Sequence, residues 1–589
     1  MKTFFASFFG VLSAVFFLIV LVVVLAVGLS IGSSKGGATI EKGTFLVLNI
    51  NGAIPDRIQK SSFPKLAFLS GDEDPTMSLS EILFTLKKVE KDARIQGILL
   101  NAGNTEAGYA TLREIRNALK RVKKSGKKVY SYSEVYTQKG YYVASVSDSL
   151  VLHPEGLLEL SGIGSNRLYL KGLLDKAGIK AELVRGSNNA YKSAGEPYIA
   201  ERMSDANREQ TTVLLMGIWS TIRKDLAKDG RLTSDALDSL IRVTPLFRGV
   251  DAVRSGLMEA ALYEDEFYAA LNLKETKEDR LVAFEDYTDP SGADASEEKE
   301  NSSLERIAVV YAEGDIESGE GSDGVVCSET FVEALREIRG NKHIKAVVLR
   351  INSPGGSALA SDVMWREVMR LKQVKPVIVS MGNVAASGGY YLAAPGTRIF
   401  AQPITITGSI GVFGLFFTGE GLLNDKLGVR YEPVGTHPFS SFGQLDRSLT
   451  DAERLLIQHS VDQTYGRFLQ VVSRGRGLDS LLVDSLGRGR VWTGTDAHKL
   501  GLVDAEGGLM DAIAYAQRQA GLSGTPRISA YPKEVDPIEK WIEEFSKRSA
   551  ANQWKELLGP VAGAYTEWTR WAGMNGIQMR LTEVNPLLN

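Results

Sequence analysis

The chain has little of two residue types that commonly build active sites, cysteine and histidine. Its 589 residues include one cysteine, Cys327, which excludes an intramolecular disulfide and a site made of several cysteines. Five histidines are present, and none belongs to an HExxH or HxxxH pattern. We therefore expect no metal and no cofactor.

An excess of charge of one sign is also missing. The chain has 68 basic and 71 acidic residues, a formal net charge of −3, and this balance gives no reason to expect a nucleic-acid partner. Its apolar fraction of 44% is ordinary for a globular protein. Because 589 residues exceed what one hydrophobic core supports, we expect at least two domains.

Long hydrophobic runs are missing except at the N-terminus. Residues 4–31 contain no charged side chain, and about 20 apolar residues suffice to cross a bilayer. The run is longer than the apolar part of a cleaved signal peptide, and no clear A-x-A site follows it. We therefore predict an uncleaved transmembrane helix. Its flanking charges, Lys2 and Lys35, barely decide its orientation.

What the sequence does contain is a duplication. FLVLNINGAI (45–54) resembles IAVVYAEGDI (307–316), and GYYVAS (140–145) resembles GYYLAA (389–394). These and other matching pairs keep a near-constant separation of roughly 245–250 residues. Apolar β-branched runs alternate with helix-period segments, which predicts βαβ units. The fold class is therefore α/β, with two copies of one fold after the anchor.

Composition divides the chain further. An acidic, Ser- and Gly-rich stretch separates the copies, and four of the seven tryptophans (Trp541, Trp554, Trp568, Trp571) lie in an amphipathic tail. This tail suits an interfacial membrane contact or packing on a neighbouring subunit. The predicted organisation is an anchor and tether (1–38), a first domain (39–285), a linker (286–304), a second domain (305–530) and a helical tail (531–589).

Comparing the copies isolates a candidate nucleophile, Ser409. TGSIG (407–411) stands where the first copy has SGIG (161–164), so that Gly162 takes the place of the serine. Small neighbours let a carbonyl approach the hydroxyl. A helix predicted to start after Ser409 would aim amides, beginning with Ile410, at an oxyanion. Ser387, in AASGG, is a rival nucleophile ranked lower, as a helix-packing serine.

A second feature is found only in the second copy. In NSPGGS (352–357), Gly355 and Gly356 expose backbone N–H groups where a predicted strand ends, as an oxyanion hole requires. The alternative is a turn that opens a helix. The first copy has NAGNTEAG (101–108) at this place and lacks the Pro-Gly-Gly.

The first copy offers the proton acceptor. None of the histidines pairs by spacing with an orienting acid, but a lysine can act as a base when burial lowers its pKa. Lys192, in YKSAGEP, aligns with the region of Ser440 and Ser441, which follows a predicted strand YEPVG (431–435). One copy has the lysine and the other has the serine. We therefore predict a composite site.

Together these motifs resemble the signal peptide peptidase A (protease IV) family in its long tandem form. The resemblance rests on NSPGGS, NVAASGGYYLA (383–393), TGSIGVFG (407–414) and YKSAGEP. It implies a Clp-protease/crotonase-like fold, a serine peptidase with Ser409 as nucleophile and Lys192 as general base, and a homotetramer. Ser440 or Ser441, where the short form of the family has its own lysine, would orient the ammonium.

The function implied is that of a membrane-anchored serine endopeptidase that degrades signal peptides left in the membrane after cleavage. Its substrates would be apolar peptides, and its body would face the periplasm from the inner membrane. Two other functions stay open: a crotonase-type acyl-CoA enzyme, whose paired amides hold an enolate, and a non-catalytic membrane scaffold.

Overall fold

The structure is a computed structural model that describes residues 40–58, 77–229, 232–273, 280–287, 305–321, 324–524, 526–533 and 576–580. The predicted anchor, most of the predicted linker and all four tail tryptophans lie outside these ranges. None of the helices within them combines the length and the hydropathy that a membrane crossing requires.

The first copy contains a seven-stranded sheet of order β6-β4-β3-β2-β1-β8, with β7 beside β4. All of its pairings are parallel except that of β4 with β6. Strands β1 to β8 are Thr44–Asn49, Ile95–Asn101, Lys128–Tyr136, Ser149–Glu159, Lys180–Arg185, Leu246–Arg248, Ala260–Ala261 and Leu281–Ala283. Helices α1 to α9 are Leu79–Val89, Tyr109–Lys124, Gln138–Ala144, Lys171–Ala177, Glu196–Ile199, Asp205–Lys228, Ser234–Val243, Gly249–Arg254 and Glu264–Ala270.

The second copy contains an eight-stranded sheet of order β18-β16-β14-β12-β9-β20, with β15 between β14 and β19. Strands β9 to β20 are Arg306–Glu313, Asp315–Glu317, Val325–Cys327, Ile344–Ser353, Gly355–Ser357, Val377–Ala386, Arg398–Ala401, Ile406–Gly408, Phe413–Thr418, Val491–Thr493, Ala505–Glu506 and Arg527–Tyr531. Helices α10 to α16 are Ser328–Gly340, Ala358–Lys372, Gly388–Ala393, Asp451–Arg476, Ser480–Leu486, Gly494–Lys499 and Leu509–Gln519.

The element order confirms a mixed α/β architecture with two largely parallel sheets. Strands β2 and β12 begin 249 residues apart, and so do β3 and β14. The central strand β12 is buried along nearly its whole length, as expected for a parallel strand covered by helices on both faces. The apolar runs that revealed the duplication are therefore the central strands of the two sheets.

A third sheet joins the copies. Its order is β11-β10-β13-β21-β17-β5, where β21 is Gly576–Arg580. Strand β5 of the first copy pairs antiparallel with β17 of the second, from Arg185 opposite Phe413 to Lys180 opposite Thr418. This pairing fixes how the loops that follow β5 and precede β17 meet.

Away from Ser409, two predictions of secondary structure are wrong. Residues 431–435, predicted as a strand, form an exposed irregular segment in which Val434 is 96% exposed. The segment of the first copy that corresponds to 431–435 is β5, which pairs with β17. Residues 431–435 have no place beside β17, because its two edges are occupied by β5 and by β21. In the tail, predicted to be helical, residues 576–580 are a strand because two open strand edges lie beside them.

A buried ion cluster lies between the copies. Arg350 of β12 is fully buried, and its guanidinium lies 2.8 Å from Asp56 Oδ1 and 2.8 Å from Glu114 Oε1, both in the first copy. It also donates to Ser380 Oγ at 2.9 Å. Burial raises the pKa of Glu114. Buried charges of this kind are tolerable only when they stay paired.

Replacing the arginine tests this interface. Arg350→Leu leaves two buried carboxyl groups without their cation, and we expect it to lower the free energy of unfolding by about 3–5 kcal/mol. Arg336→Leu is the matched control, because that side chain is 61% exposed. Thermal unfolding of both variants measures the effect. Equal stability of the two would contradict the role of the cluster.

Candidate active site

The pairing of β5 with β17 delivers one side chain from each copy to the same place. Strand β5 ends at Arg185, shortly before Lys192, and β17 begins at Phe413, shortly after Ser409. Since Arg185 and Phe413 are opposite each other in an antiparallel ladder, the chain leaves β5 and enters β17 at the same end of this ladder. The two motifs are thereby brought together from opposite halves of the sequence.

The loop that carries Lys192 is fixed by both copies. Within the loop, the backbone N–H of Lys192 donates to Asn189 O at 3.1 Å. Asn189 Nδ2 donates to Val412 O of the second copy at 3.2 Å, and Gln210 Nε2 of α6 donates to Tyr191 O at 2.8 Å. These bonds fix the backbone of the loop from which the lysine side chain extends.

The amine of Lys192 lies between two serine hydroxyls. Its Nζ is 2.9 Å from Ser409 Oγ, 3.2 Å from Ser409 O and 2.9 Å from Ser387 Oγ. Lys192 is 1% exposed, and both serines are fully buried. The predicted pair of Ser409 and Lys192 is thus within hydrogen-bond distance, and a second serine is equally close.

Burial lowers the pKa of Lys192 well below the ordinary lysine value, because water no longer solvates the charged form. A neutral amine has two N–H donors and one lone pair. Three oxygen atoms surround this nitrogen, so that two can accept its hydrogens while the third, a hydroxyl, donates to the lone pair. The arrangement suits a base that takes a proton from a serine.

Ser387 lies in a sharp turn between the end of β14 and the start of α12. Its φ is +55° and its ψ is −114°, a conformation that costs a non-glycine residue about 1–3 kcal/mol. By the match of GYYVAS with GYYLAA, the corresponding residue of the first copy is Gln138, which belongs to helix α3 and has no positive φ. The strain is therefore a property of this one position and not of the repeated fold. Strand–serine–helix turns of this kind expose a nucleophile and place the next N–H group beside it.

Ser409 has a different setting. Its φ of +50° is matched by +79° at its counterpart Gly162, so both copies use a left-handed residue here. Its N–H donates to Arg490 O at 2.7 Å, and its carbonyl and hydroxyl oxygens both contact Lys192. The predicted helix after Ser409 is wrong, since the chain continues irregularly into β17. No helix therefore begins at this serine.

The three predicted oxyanion donors differ in their surroundings. The N–H of Gly355 donates to Ser353 Oγ at 3.2 Å, and Gly356 pairs with Ile316 and Met579. Ile410 is fully buried, and its carbonyl accepts from Gly489. None of these contacts by itself identifies the donor to an oxyanion.

Gly388, which the sequence analysis does not predict as a site residue, lies close to both β13 and β21. A methyl group built on Gly388 would lie 3.2 Å from Gly355 Cα and 3.2 Å from the carbonyl oxygen of Met579. One built on Gly355 would lie 2.7 Å from Gly388 N. The AASGG motif in a strand–turn–helix context is the signal that could have identified this position.

The predicted role of Ser440 and Ser441 is not met in the described structure. Ser440 Oγ accepts from His437 N at 3.0 Å, and both oxygens of Ser441 accept from Arg447. Both residues lie in the surface segment that follows 431–435. Because this segment does not pair with β17, it does not approach Lys192. The serine that joins Ser409 at the amine is Ser387.

Comparison with known proteins adds to this geometry. The model of peptidase family S49 matches residues 121–277 and 369–523, and the Clp protease model matches residues 298–405. The chain belongs to peptidase family S49. It is a serine peptidase, and the family model matches each copy once, in agreement with the duplication.

Three relatives of this S49 peptidase cover different parts of it. "Protease 4" of Salmonella typhi is 33% identical over 81% of this chain and 78% of the relative. "Serine protease SPPA, chloroplastic" of Arabidopsis thaliana is 32% identical over 82% and 70%, respectively. "Putative signal peptide peptidase SppA" of Enterococcus faecium is 35% identical over 36% of this chain and 62% of the relative.

The corresponding site in the first copy of the S49 peptidase is filled by protein. Gln138 Oε1 accepts from the backbone N–H groups of Gly162 at 2.8 Å and Ser161 at 3.1 Å. Gln138 Nε2 donates to Gly162 O at 3.0 Å. A side-chain amide thus satisfies the backbone groups beside Gly162, and neither Gln138 nor Gly162, the counterparts of Ser387 and Ser409, carries a hydroxyl.

The buried lysine should cost stability. In the native state the lowered pKa of Lys192 favours the neutral amine, whereas the unfolded chain holds the proton up to its pKa of about 10.4. Stability should therefore rise with pH between these two values, by up to about 1.4 kcal/mol per unit. Lys192→Met removes this contribution to the pH dependence of the stability. We expect its melting temperature relative to the parent to fall as pH rises from about 8 to about 10.

Lys499→Met is the control, because that side chain is 69% exposed. It should melt in parallel with the parent across the same range. A difference between Lys192→Met and the parent that does not change with pH would mean that the native amine stays charged.

Proposed function

We propose that this protein is a membrane-anchored serine endopeptidase of the S49 family that degrades apolar peptides, cleaved signal peptides among them, with Lys192 as its general base. The observation that carries the proposal is the buried Lys192 amine, 2.9 Å from two serine hydroxyls of the other copy. The name of the Enterococcus faecium relative supports signal peptides as substrates.

We assign the nucleophile to Ser387 and the positioning of Lys192 to Ser409. Ser387 has the strained turn that its counterpart Gln138 lacks, and the N–H of Gly388 follows it. Ser409 gives two acceptor oxygens to the lysine, as expected of a residue that orients a base. This proposal exchanges the roles that the sequence analysis predicts for Ser387 and Ser409, and the variants described below separate the two assignments.

In the mechanism that follows, neutral Lys192 takes the hydroxyl proton of Ser387 as its oxygen attacks a peptide carbonyl. The amide of Gly388, with those of the Gly355–Gly356 strand, stabilises the oxyanion. The C–N bond breaks as the lysine ammonium gives its proton to the leaving amine. Water then hydrolyses the Ser387 ester, with Lys192 again as base. If Ser409 were the nucleophile, the amide of Ile410 would take the place of that of Gly388.

The cellular setting is also part of the proposal. The uncharged run of residues 4–31 would anchor the peptidase in the inner membrane, with its body on the periplasmic side, close to the peptides it degrades. A homotetramer is proposed from the family resemblance. Sedimentation of the full chain in detergent would test the subunit number.

Single serine variants test the assignment. Ser387→Ala should lower kcat/KM for an apolar peptide ester by about 10⁴-fold or more, because the attacking atom is lost. Ser409→Ala should lower kcat/KM by about 10²-fold. Lys192 is still present in this variant, but its amine loses the contact with the Ser409 hydroxyl and keeps the one with the backbone carbonyl. A fluorophosphonate should label Ser387, as located by peptide mass spectrometry.

Ser440→Ala, at the exposed segment, is the matched control and should retain parental activity. Labelling of Ser409 together with full activity of Ser387→Ala would restore the original assignment. Full activity of all three variants would reject the serine mechanism at this site.

The pH profile tests the base. Because burial lowers the pKa of Lys192, kcat/KM should rise with pH and level off well below the ordinary lysine value of 10.5. Lys192→Arg should be inactive at every pH, since a guanidinium does not lose its proton in proteins. A profile without an acid limb, or activity in Lys192→Arg, would show that another group takes the proton.

A further inference from the structure

The cleft beside the serines contains a segment of the chain itself. Strand β21 lies between β13 and β17 and pairs antiparallel with both. Met579 is opposite Gly356 on one side, and Gln578 is opposite Phe413 on the other. Among the described residues, β21 is the only strand that connects β13 to β17.

This position is the one that an extended substrate would take. Strand β13 is part of the NSPGGS motif, and β17 follows Ser409. A peptide placed between two strand edges gains main-chain hydrogen bonds on both sides, whatever its sequence. The carbonyl oxygen of Met579 lies beside Gly355 and Gly388, where the proposed mechanism needs the carbonyl that is attacked.

The segment also covers the site. Met579 is 1% exposed and belongs to the apolar core of the second copy, so that its place accepts an uncharged side chain. With β21 in position, Ser387 and Ser409 have no exposed surface. A substrate cannot reach a hydroxyl in this state.

We propose that Gly576–Arg580 is a tethered pseudosubstrate that occludes the active site until it is displaced. The inference rests on the peptidase activity proposed above. Residues 534–575 connect this segment to the second copy, so the segment competes as an intramolecular ligand at an effective concentration of about 1 mM. Substrates that bind tightly or arrive at high local concentration, as apolar peptides at a membrane would, displace it.

Three variants, one truncated and two with a single substitution in the full chain, test the occlusion. One ends at Ala572 and lacks the segment, and Met579→Asp puts a charge in a buried apolar place. Met579→Leu is the matched control, which keeps the size and the apolar character. We expect a fluorophosphonate to label the first two about 10-fold faster than the parent, and Met579→Leu to react at the parental rate. Intact mass confirms that the parent keeps its C-terminus.

A peptide of residues 575–581 should inhibit the variant that ends at Ala572 competitively, and the same peptide with Asp for Met should not. Equal labelling rates of the parent and the variant that ends at Ala572, in an enzyme that hydrolyses peptides, would overturn the occlusion and leave the peptidase proposal intact. Peptide hydrolysis that survives Ser387→Ala and Lys192→Met would instead overturn the peptidase mechanism.

Discussion

The antiparallel pairing of β5 with β17 is the contact on which the proposed active site depends. It is a backbone ladder between a strand of the first copy and a strand of the second. The loop with Lys192 follows β5, and the TGSIG turn precedes β17, so that both lie at the same end of this ladder. Without the pairing, the second copy would have two serines and no base. In the proposed mechanism each copy is therefore incomplete, and the unit of function is the pair.

Polar groups under the oxyanion loop connect the same two copies. Arg350 lies on β12, the strand that leads into NSPGGS, and its carboxylate partners come from the first copy. Beside it, burial together with the nearby Asp56 carboxylate raises the pKa of Glu313 to about 8. Glu313 accepts from Asp56 N and Asn352 Nδ2, so the residue that begins the NSPGGS motif is tied to the cluster. The rigidity of the glycine loop thus depends on the interface.

Much of the fold could be predicted from the sequence because each strand and motif pattern occurs twice, once in each copy. The constant separation of the matching segments indicated two α/β copies, and the absence of a usable histidine directed attention to Lys192. The contact between Lys192 and Ser409 followed from the complementary losses in the two copies. These inferences need only residue identity and spacing.

The remaining features depend on backbone geometry that spacing does not contain. Ser387 and Ser409 both stand among small residues and both have a positive φ. What distinguishes them is the first copy, where Gly162 keeps the positive φ of Ser409 and Gln138 does not keep that of Ser387. Ser440 and Ser441 align with Lys192 in sequence, yet the edge of β17 that they would need is occupied. The strand at 576–580 has no strong pattern of its own, because its conformation is imposed by its neighbours.

Strand β21 also covers strand edges that a peptidase for extended peptides would otherwise leave unpaired. A cleft that accepts a peptide as a strand must have unpaired N–H and C=O groups, and such edges invite association with any chain nearby. Here β13 and β17 would be open without β21. An occupant from the same chain satisfies these groups and keeps the strained Ser387 from water. In the first copy the counterpart of Ser387 is Gln138, which lies in a helix and satisfies the backbone groups beside Gly162 with its own side chain, so that the proposal requires no such occupant there.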